Sequence, residues 1–97
     1  MAEWSSATTA TALGMVKTDL KISAANTAYD ARLTQYIETA KEEAVREGVK
    51  DLSDAVPDVQ MVAALAAWMW THRNSGEAMP IWLRKMLNNR IFSVHMQ

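Results

Sequence analysis

Ten consecutive residues, from Met61 to Trp70, carry no charge and no hydrogen-bonding side chain other than two indoles. A helix needs about 20 predominantly apolar residues to cross a bilayer, so this run is too short for a membrane span. Trp68 and Trp70 lie about 200° apart on a helix and therefore cannot enter the same core. Because a helix that is apolar on every side must be surrounded, the run predicts a central helix covered by the rest of the fold, by another subunit, or by both.

Apolar residues at helical spacing predict three further helices around the central one. Proline is well tolerated in the first turn of a helix, and glycine is common directly after the last residue, so Pro57 and Pro80 mark two starts and Gly48 marks one end. The tail from Ile91 alternates apolar and polar residues, as an extended segment or edge strand does. The predicted helices span about residues 8–19, 27–48, 57–74 and 80–90.

These patterns predict an all-α fold. We expect one domain over residues 1–97, built as a small bundle of about four helices with a central apolar helix and an extended C-terminal tail. A length of 97 residues supports one modest core. The first residues are small and polar, and we expect both 1–7 and 91–97 to be flexible until the protein assembles with a partner.

Acidic and basic residues are divided unevenly along the chain. Ten Lys/Arg against eleven Asp/Glu give a net charge of −1, which favours no polyanionic partner. Residues 1–58 hold six basic and ten acidic residues, a balance of −4, whereas residues 59–97 hold four basic residues and only Glu77, a balance of +3. Such asymmetry can steer one end of a molecule toward the opposite end of a neighbour.

The sequence gives no sign of catalysis or of a bound cofactor. It contains no cysteine, its two histidines (His72 and His95) are far apart, and its three glycines are too scattered for a phosphate-binding loop. Four glutamates between residues 38 and 47 are interleaved with basic residues, as on a solvated helix face. We therefore expect no enzyme, no metal site and no cofactor. The first residues also lack the basic and apolar regions of a secretory signal, so we expect a cytosolic chain.

Basic residues in the last third of the chain raise the possibility of nucleic-acid binding. A DNA-reading helix carries basic and amide side chains along one face, whereas the segment PIWLRKMLNNR is half apolar. Specific reading of DNA is therefore not predicted, although contact with DNA that passes through a channel is compatible with these residues. The candidates for such contact are Arg73, Arg84, Lys85 and Arg90.

Four short motifs follow one another over about residues 13–90. The first has the form VK-x-x-L-K-I, and the second is an aspartate followed by an amphipathic helix with YI-x-x-A. The third is an apolar helix that ends in an aromatic residue with an arginine three places on, and the fourth is a proline-led short helix with two large aliphatic residues and a closing arginine. Their residues are Val16, Lys17, Leu20, Lys21, Ile22; Asp30, Leu33, Tyr36, Ile37, Ala40; Trp70, Arg73; Pro80, Met86, Leu87 and Arg90. Their order and spacing resemble the head–tail connector (adaptor) proteins of long-tailed bacteriophages.

The resemblance implies a structural virion protein. Proteins of that family form a ring, usually twelve-fold, beneath the portal of a filled head. The ring extends the DNA channel and gives the next connector, the stopper or the tail protein a surface to dock on. For this chain it implies a homo-oligomer, a portal partner, non-specific contact with DNA in the channel, no membrane contact, and a place at the head–tail interface after assembly in the host cytoplasm.

Two alternatives of other classes stay open. One is a small helical DNA-binding or DNA-packaging protein, whose affinity for DNA would fall steeply with salt. The other is a monomeric helical module that accepts a partner helix in a groove, for which Met61, Met69 and Met86 would be an adaptable lining.

A ring needs heterologous interfaces, in which one face of a subunit meets a different face of its neighbour. Tryptophan is enriched among the residues that dominate binding energy, which makes Trp68 the first candidate for an interface anchor. The candidate interface residues are Trp68, Met61, Ala64 and Trp82. The candidate core residues are Leu33, Tyr36, Ile37, Leu65, Met69, Trp70 and Leu87, with Trp70 expected to pack near Tyr36 and Ile37. The candidate contacts to the DNA channel or the portal are Arg73, Arg84, Lys85 and Arg90.

Overall fold

A computed structural model describes residues 4–93 of the chain, and every regular element in that part is an α-helix. The four helices are α1 (Ser6–Asp19), α2 (Asp30–Glu47), α3 (Val56–Thr71) and α4 (Ile81–Ser93). This confirms the predicted all-α bundle of four helices. The apolar run lies in α3, which packs against each of the other three helices. The helices α1 and α4 both contact α2 and α3 but do not contact each other.

The hydrophobic core is centred on α3, which buries residues around most of its circumference. Leu33 and Ile37 of α2 and Leu83 and Leu87 of α4 are fully buried against it. Complete burial of one such side chain stabilises the fold by about 1.5–3 kcal/mol. From α3 itself the buried apolar residues are Val59, Met61, Val62, Ala63, Leu65, Ala66 and Ala67. The central position that the sequence predicts for the apolar helix is therefore confirmed.

Local capping accounts for the ends of α1 and α2. The helix α1 begins two residues before the predicted Thr8 because Ser5 caps it, with the Ser5 Oγ accepting a hydrogen bond from the Thr8 N–H at 3.1 Å. The helix α2 ends as predicted at Gly48, whose φ of +120° is a conformation that L side chains rarely adopt. The helix α3 ends at Thr71, earlier than the predicted Asn74.

Lys17 closes the loop between α1 and α2. Its ammonium group is buried and donates hydrogen bonds to the Ala24 carbonyl at 3.2 Å, the Asn26 carbonyl at 2.7 Å and the Asp30 carboxylate at 2.9 Å. A buried charge is tolerated only when it is paired and hydrogen-bonded, so these three acceptors allow Lys17 into the interior. The loop wraps around the ammonium group, and α2 begins only at Asp30, after the predicted cap at Asn26 or Thr27.

Within the segment 1–7, which we expect to be flexible until assembly, Trp4 packs against the rest of the fold. Trp4 is 8% exposed, its Nε1–H donates to the Ser53 carbonyl at 2.9 Å, and the Lys41 ammonium group lies 4.8 Å from the centre of its ring. An indole that is buried with its N–H paired removes a large apolar area from water. This contact anchors the segment ahead of α1 even though its neighbours in sequence are small and polar. Residues 1–3 lie outside the described residues.

The predicted extended tail is wrong for residues 91–93, because α4 continues through them to Ser93. Ile91 packs against the core and lies four residues after the buried Leu87, so the helical spacing of apolar residues extends past the Asn-Asn-Arg segment where we expected the helix to end. Residues 94–97, the rest of the predicted tail, lie outside the described residues.

A buried ion pair joins the start of α3 to the end of α4. The Asp58 carboxylate accepts hydrogen bonds from the Ser53 N–H and hydroxyl and, at 2.7 Å, from the Arg90 Nε–H. The same guanidinium donates through Nη2 to the carbonyls of Lys50 and Asp51. Burial alone raises the pKa of Asp58, but the hydrogen bonds from Arg90 and Ser53 outweigh it and hold this pKa below its usual value. The pair therefore fixes α4 to the loop that connects α2 and α3.

Replacing Lys17 by methionine should lower the free energy of unfolding by about 2–4 kcal/mol, because two carbonyls and the Asp30 carboxylate lose their partner. Lys21→Met is the matched control, since Lys21 is exposed, and it should change the free energy by less than about 0.5 kcal/mol. Urea unfolding followed by far-UV circular dichroism measures both. Equal effects of the two substitutions would show that Lys17 does not hold the loop.

The lowered pKa of Asp58 predicts a pH-dependent stability. The unfolded chain binds this proton more tightly than the folded chain does, so the contribution of Asp58 is complete above the ordinary aspartate pKa and is lost as the pH falls through the folded-state value. Asp58→Asn should therefore cost about 2–4 kcal/mol at about pH 7 and clearly less at about pH 3, measured by urea unfolding. Asp54→Asn, at an exposed site nearby, is the control. A penalty of the same size at both pH values would contradict this role for Asp58.

Candidate functional site

The gap between α1 and α4 leaves an open trough along one side of α3, and its floor includes the exposed Gln60 and Thr71 as well as the buried Ala63 and Ala67. Three adjoining depressions form the trough, and they are continuous because they share Thr11, Met15 and Asp19 of α1. The middle depression alone has a volume of about 720 Å³. We call this surface the α3 trough. Its floor consists of Gln60, Ala63, Ala64, Ala67, Trp68 and Thr71, and its α4 wall of Trp82 and Met86.

The floor follows from the period of α3. At about 100° per residue its six residues lie within an arc of about 140° on the helix, and the fully buried Val62 and Leu65 lie outside that arc. Three of the six are alanines, so a helix that entered the trough could approach the α3 backbone closely, since interaxial distance depends on the side chains at the contact. The trough is therefore shaped to receive an elongated, convex partner.

Three of the four predicted interface residues lie together at one end of the trough. Ala64, Trp68 and Trp82 line the same depression, where Trp82 is 57% exposed and Trp68 is partly buried. The prediction for Met61 is wrong, because this residue is 2% exposed and belongs to the core. Met61 lies at the edge of the floor arc, about 90° from its centre, and its unbranched side chain turns inward.

Trp68 is held in place by its contact with His72. The two rings stack with their centres 5.1 Å apart and an angle of 24° between their planes. The His72 ring is fixed in turn, because its Nδ1 lies 3.0 Å from the Trp68 carbonyl and its Nε2 lies 3.4 Å from the Glu77 carboxylate. A side chain with few alternative rotamers loses little entropy when a partner covers it, which favours Trp68 as a binding residue.

Trp70 lies on the other side of α3 from Trp68, as their separation of about 200° requires. Its ring packs edge-on against Tyr36 and Tyr29, with ring centres 5.5 Å and 5.8 Å away, and the Arg73 guanidinium lies 4.2 Å from its centre. Among the candidate core residues, four are fully buried and three are partly buried against the core. The first group is Leu33, Ile37, Leu65 and Leu87, and the second is Tyr36, Met69 and Trp70.

The helix α4 presents a second apolar surface, on the side that faces away from the core. Ile81 is 75% exposed and Phe92 is 58% exposed, and Lys85 between them is exposed as well. These three residues lie within about 40° of one another on the helix, and we call them the α4 outer face. Trp82 lies at the edge between this face and the trough. Sequence reasoning missed the face because the predicted fourth helix ends before Phe92, although the spacing of four and seven residues is visible in the sequence.

Four basic residues are candidates for contact with the DNA channel or the portal, and two of them form ion pairs with other residues of the same chain. The Arg84 guanidinium donates to the Glu47 carboxylate at 2.8 Å, and this hydrogen bond lowers the pKa of Glu47 and raises that of Arg84. The Arg90 side chain is 20% exposed and is engaged with Asp58. This corrects the prediction for Arg90, whose donors point into the protein rather than toward a channel. Such contacts within a single chain are invisible in the spacing of the basic residues.

The other two basic candidates lie on separate surfaces. Arg73 is exposed but covers the ring of Trp70, whereas Lys85 lies on the α4 outer face. A nucleic-acid-binding helix carries several basic side chains along one side. The four basic candidates therefore do not combine into a strip that would follow a phosphate backbone.

Residues 4–93 contain no group of three or more histidine, cysteine, aspartate or glutamate side chains suited to a metal ion, and none of their helices is long and apolar enough to cross a membrane.

Comparison of the chain with models of protein families, with curated proteins and with solved structures gives no significant match.

Trp70 and Trp82 have different surroundings, so we expect their replacement by alanine to lower the free energy of unfolding by different amounts. Trp70→Ala should lower the free energy of unfolding by about 2–4 kcal/mol, because the contacts with both tyrosines and with Arg73 are lost. Trp82→Ala should change it by less than about 1 kcal/mol, because most of that side chain is already in water. Urea unfolding of the two variants is the measurement. A cost for Trp82→Ala as large as that for Trp70→Ala would mean that Trp82 supports the monomer rather than a contact.

Proposed function

We propose that the protein is a structural component of a phage virion, a head–tail connector (adaptor) that forms a ring of about twelve copies beneath the portal. The ring extends the DNA channel and provides the surface on which the next connector, the stopper or the tail protein docks. The order of the four motifs over residues 13–90 supports this proposal. The observation that carries it is that one chain exposes two different apolar surfaces.

These two surfaces are of the kind that a ring requires. The α3 trough is concave and the α4 outer face is convex, so each can be covered by a different side of another copy. Contacts between unlike faces are heterologous, and they close into a ring when the rotation per subunit divides a full turn. Apolar residues left exposed in a group mark interaction sites, and Trp68 and Trp82 supply the aromatic area that anchors such contacts.

The motif residues support the fold more directly than the function. Val16 and Leu33 are buried, Lys17 closes the α1–α2 loop, and Arg90 fixes α4. One fold can serve many functions. A match to the motifs at buried and fold-stabilising positions is therefore stronger support for a shared fold than for a shared function. The assignment to the head–tail interface rests on the combination of that architecture with the two exposed surfaces.

A monomeric helical binding module is the second candidate, and the α3 trough favours it as well. The trough has the form of a groove that accepts a partner helix, which is a common mode of recognition. Of the three methionines expected to line such a groove, Met86 does so, whereas Met61 is buried and Met69 is partly buried in the core. A DNA-binding protein has less support, because Arg84 and Arg90 are engaged in ion pairs.

Native mass spectrometry over a range of protein concentrations distinguishes the two candidates. The connector proposal predicts a closed ring of about a dozen copies. Trp68→Ala should shift the population toward monomers while the far-UV circular dichroism spectrum stays nearly unchanged, because the truncated side chain lines the trough. Glu42→Ala, at an exposed position of α2, is the control and should assemble like the parent chain. A parent chain that is monomeric at every concentration would favour the binding module instead.

A further inference from the structure

The α4 outer face and the α3 trough match each other in length and in shape. The 13 residues of α4 extend over about 20 Å and the trough floor from Gln60 to Thr71 over about 18 Å, so the trough is long enough for most of such a helix. The outer face is a narrow ridge with Ile81 near one end and Phe92 near the other. The middle of the trough floor consists of the small side chains of Ala63, Ala64 and Ala67. The outer face thus presents two large apolar side chains with Lys85 between them, and the middle of the trough floor presents small ones.

The two surfaces also match in charge. Asp19 and Asp54 are the acidic residues that line the three depressions of the trough, and Lys17, in a depression that adjoins the middle one, is paired with Asp30. The charged residue of the α4 outer face is Lys85, four residues after Ile81 and seven before Phe92. Asp19 lies where two of the depressions of the trough join. One charge on each of two complementary surfaces, opposite in sign, helps to fix the register of their contact.

We propose that the α4 outer face of one copy docks in the α3 trough of the next copy, with Lys85 facing Asp19 of the neighbour. The proposal rests on the ring proposed above and specifies its subunit contact. The contact is heterologous, since each copy gives its α4 to one neighbour and receives α4 from the other. Trp82, which lies between the trough and the outer face of its own chain, is then close to both contacts of each subunit.

Cysteine cross-linking tests the contact directly, because the chain contains no cysteine of its own. Asp19→Cys and Lys85→Cys are prepared as separate proteins, and both positions are exposed, so each variant should fold. After mixing and mild oxidation, a disulfide-linked dimer should form between the two variants and should be absent when either variant is oxidised alone. Glu42→Cys mixed with Lys85→Cys is the matched control and should give no specific dimer.

Charge reversal tests the same pair without cross-linking. Asp19→Lys places two lysines against each other and should weaken assembly about tenfold or more, as read from the oligomer fraction in native mass spectra. Adding Lys85→Asp to the same chain should restore assembly to within about threefold of the parent chain, because the pair is re-formed with its charges exchanged. A double variant as weak as the single one would overturn the assigned pair.

The outcomes separate this contact from the connector proposal. A closed ring in which positions 19 and 85 do not cross-link, or in which either variant cross-links with itself, would overturn the contact and leave the ring in place. Cross-linked copies that form open chains rather than a closed ring would support the contact and overturn the connector proposal. A mixture at high concentration that stays monomeric and gives no disulfide would overturn the contact.

Discussion

The fold depends on one constraint, that α3 is apolar on all sides and has only three short helices to cover it. The helices α1, α2 and α4 bury most of its circumference, but α1 and α4 do not meet. The strip that remains runs along Gln60, Ala64 and Trp68. It begins with a polar side chain and has a small one in its middle, so little apolar area stays in contact with water and the free-energy cost is low. The trough is therefore a direct result of how an all-round apolar helix is packed in a chain of this length.

Polar contacts fix the walls of the trough in position. Lys17 holds the end of α1 through the loop that follows it, and Arg90 holds the end of α4 through Asp58. Each is a charged group largely removed from water, and such a group is retained only where its partners satisfy it. These ion pairs add directional contacts at the end of α1 and at the end of α4 to the apolar packing on α3, which is itself non-directional.

Helical periodicity in the sequence is sufficient to predict the number of helices, the central position of α3 and the burial of residues such as Leu33 and Leu87. It does not predict the burial or the ion pairing of a side chain whose partners lie far away in the sequence. Trp4 is buried because Ser53 and Lys41 are there to receive it, and the segment around it carries no local signal. Arg90 is taken by Asp58, which lies 32 residues away in sequence. Met61 shares a helix side with Trp68, yet only the positions of the neighbouring helices determine which of the two is buried.

Ile81 and Phe92 of α4 are among the large apolar side chains that the structure leaves exposed. Ile81 and Phe92 are 75% and 58% exposed, so their side chains add little to the stability of a single chain. Exposed apolar groups on a ridge lower solubility and promote association, so they impose a cost on a monomer unless another surface covers them. The inner side of α4 is already occupied by Leu83 and Leu87, and the helix cannot rotate to bury its outer side without exposing them. In the contact proposed above, the outer face is covered by the trough of another copy, whose Asp19 faces Lys85.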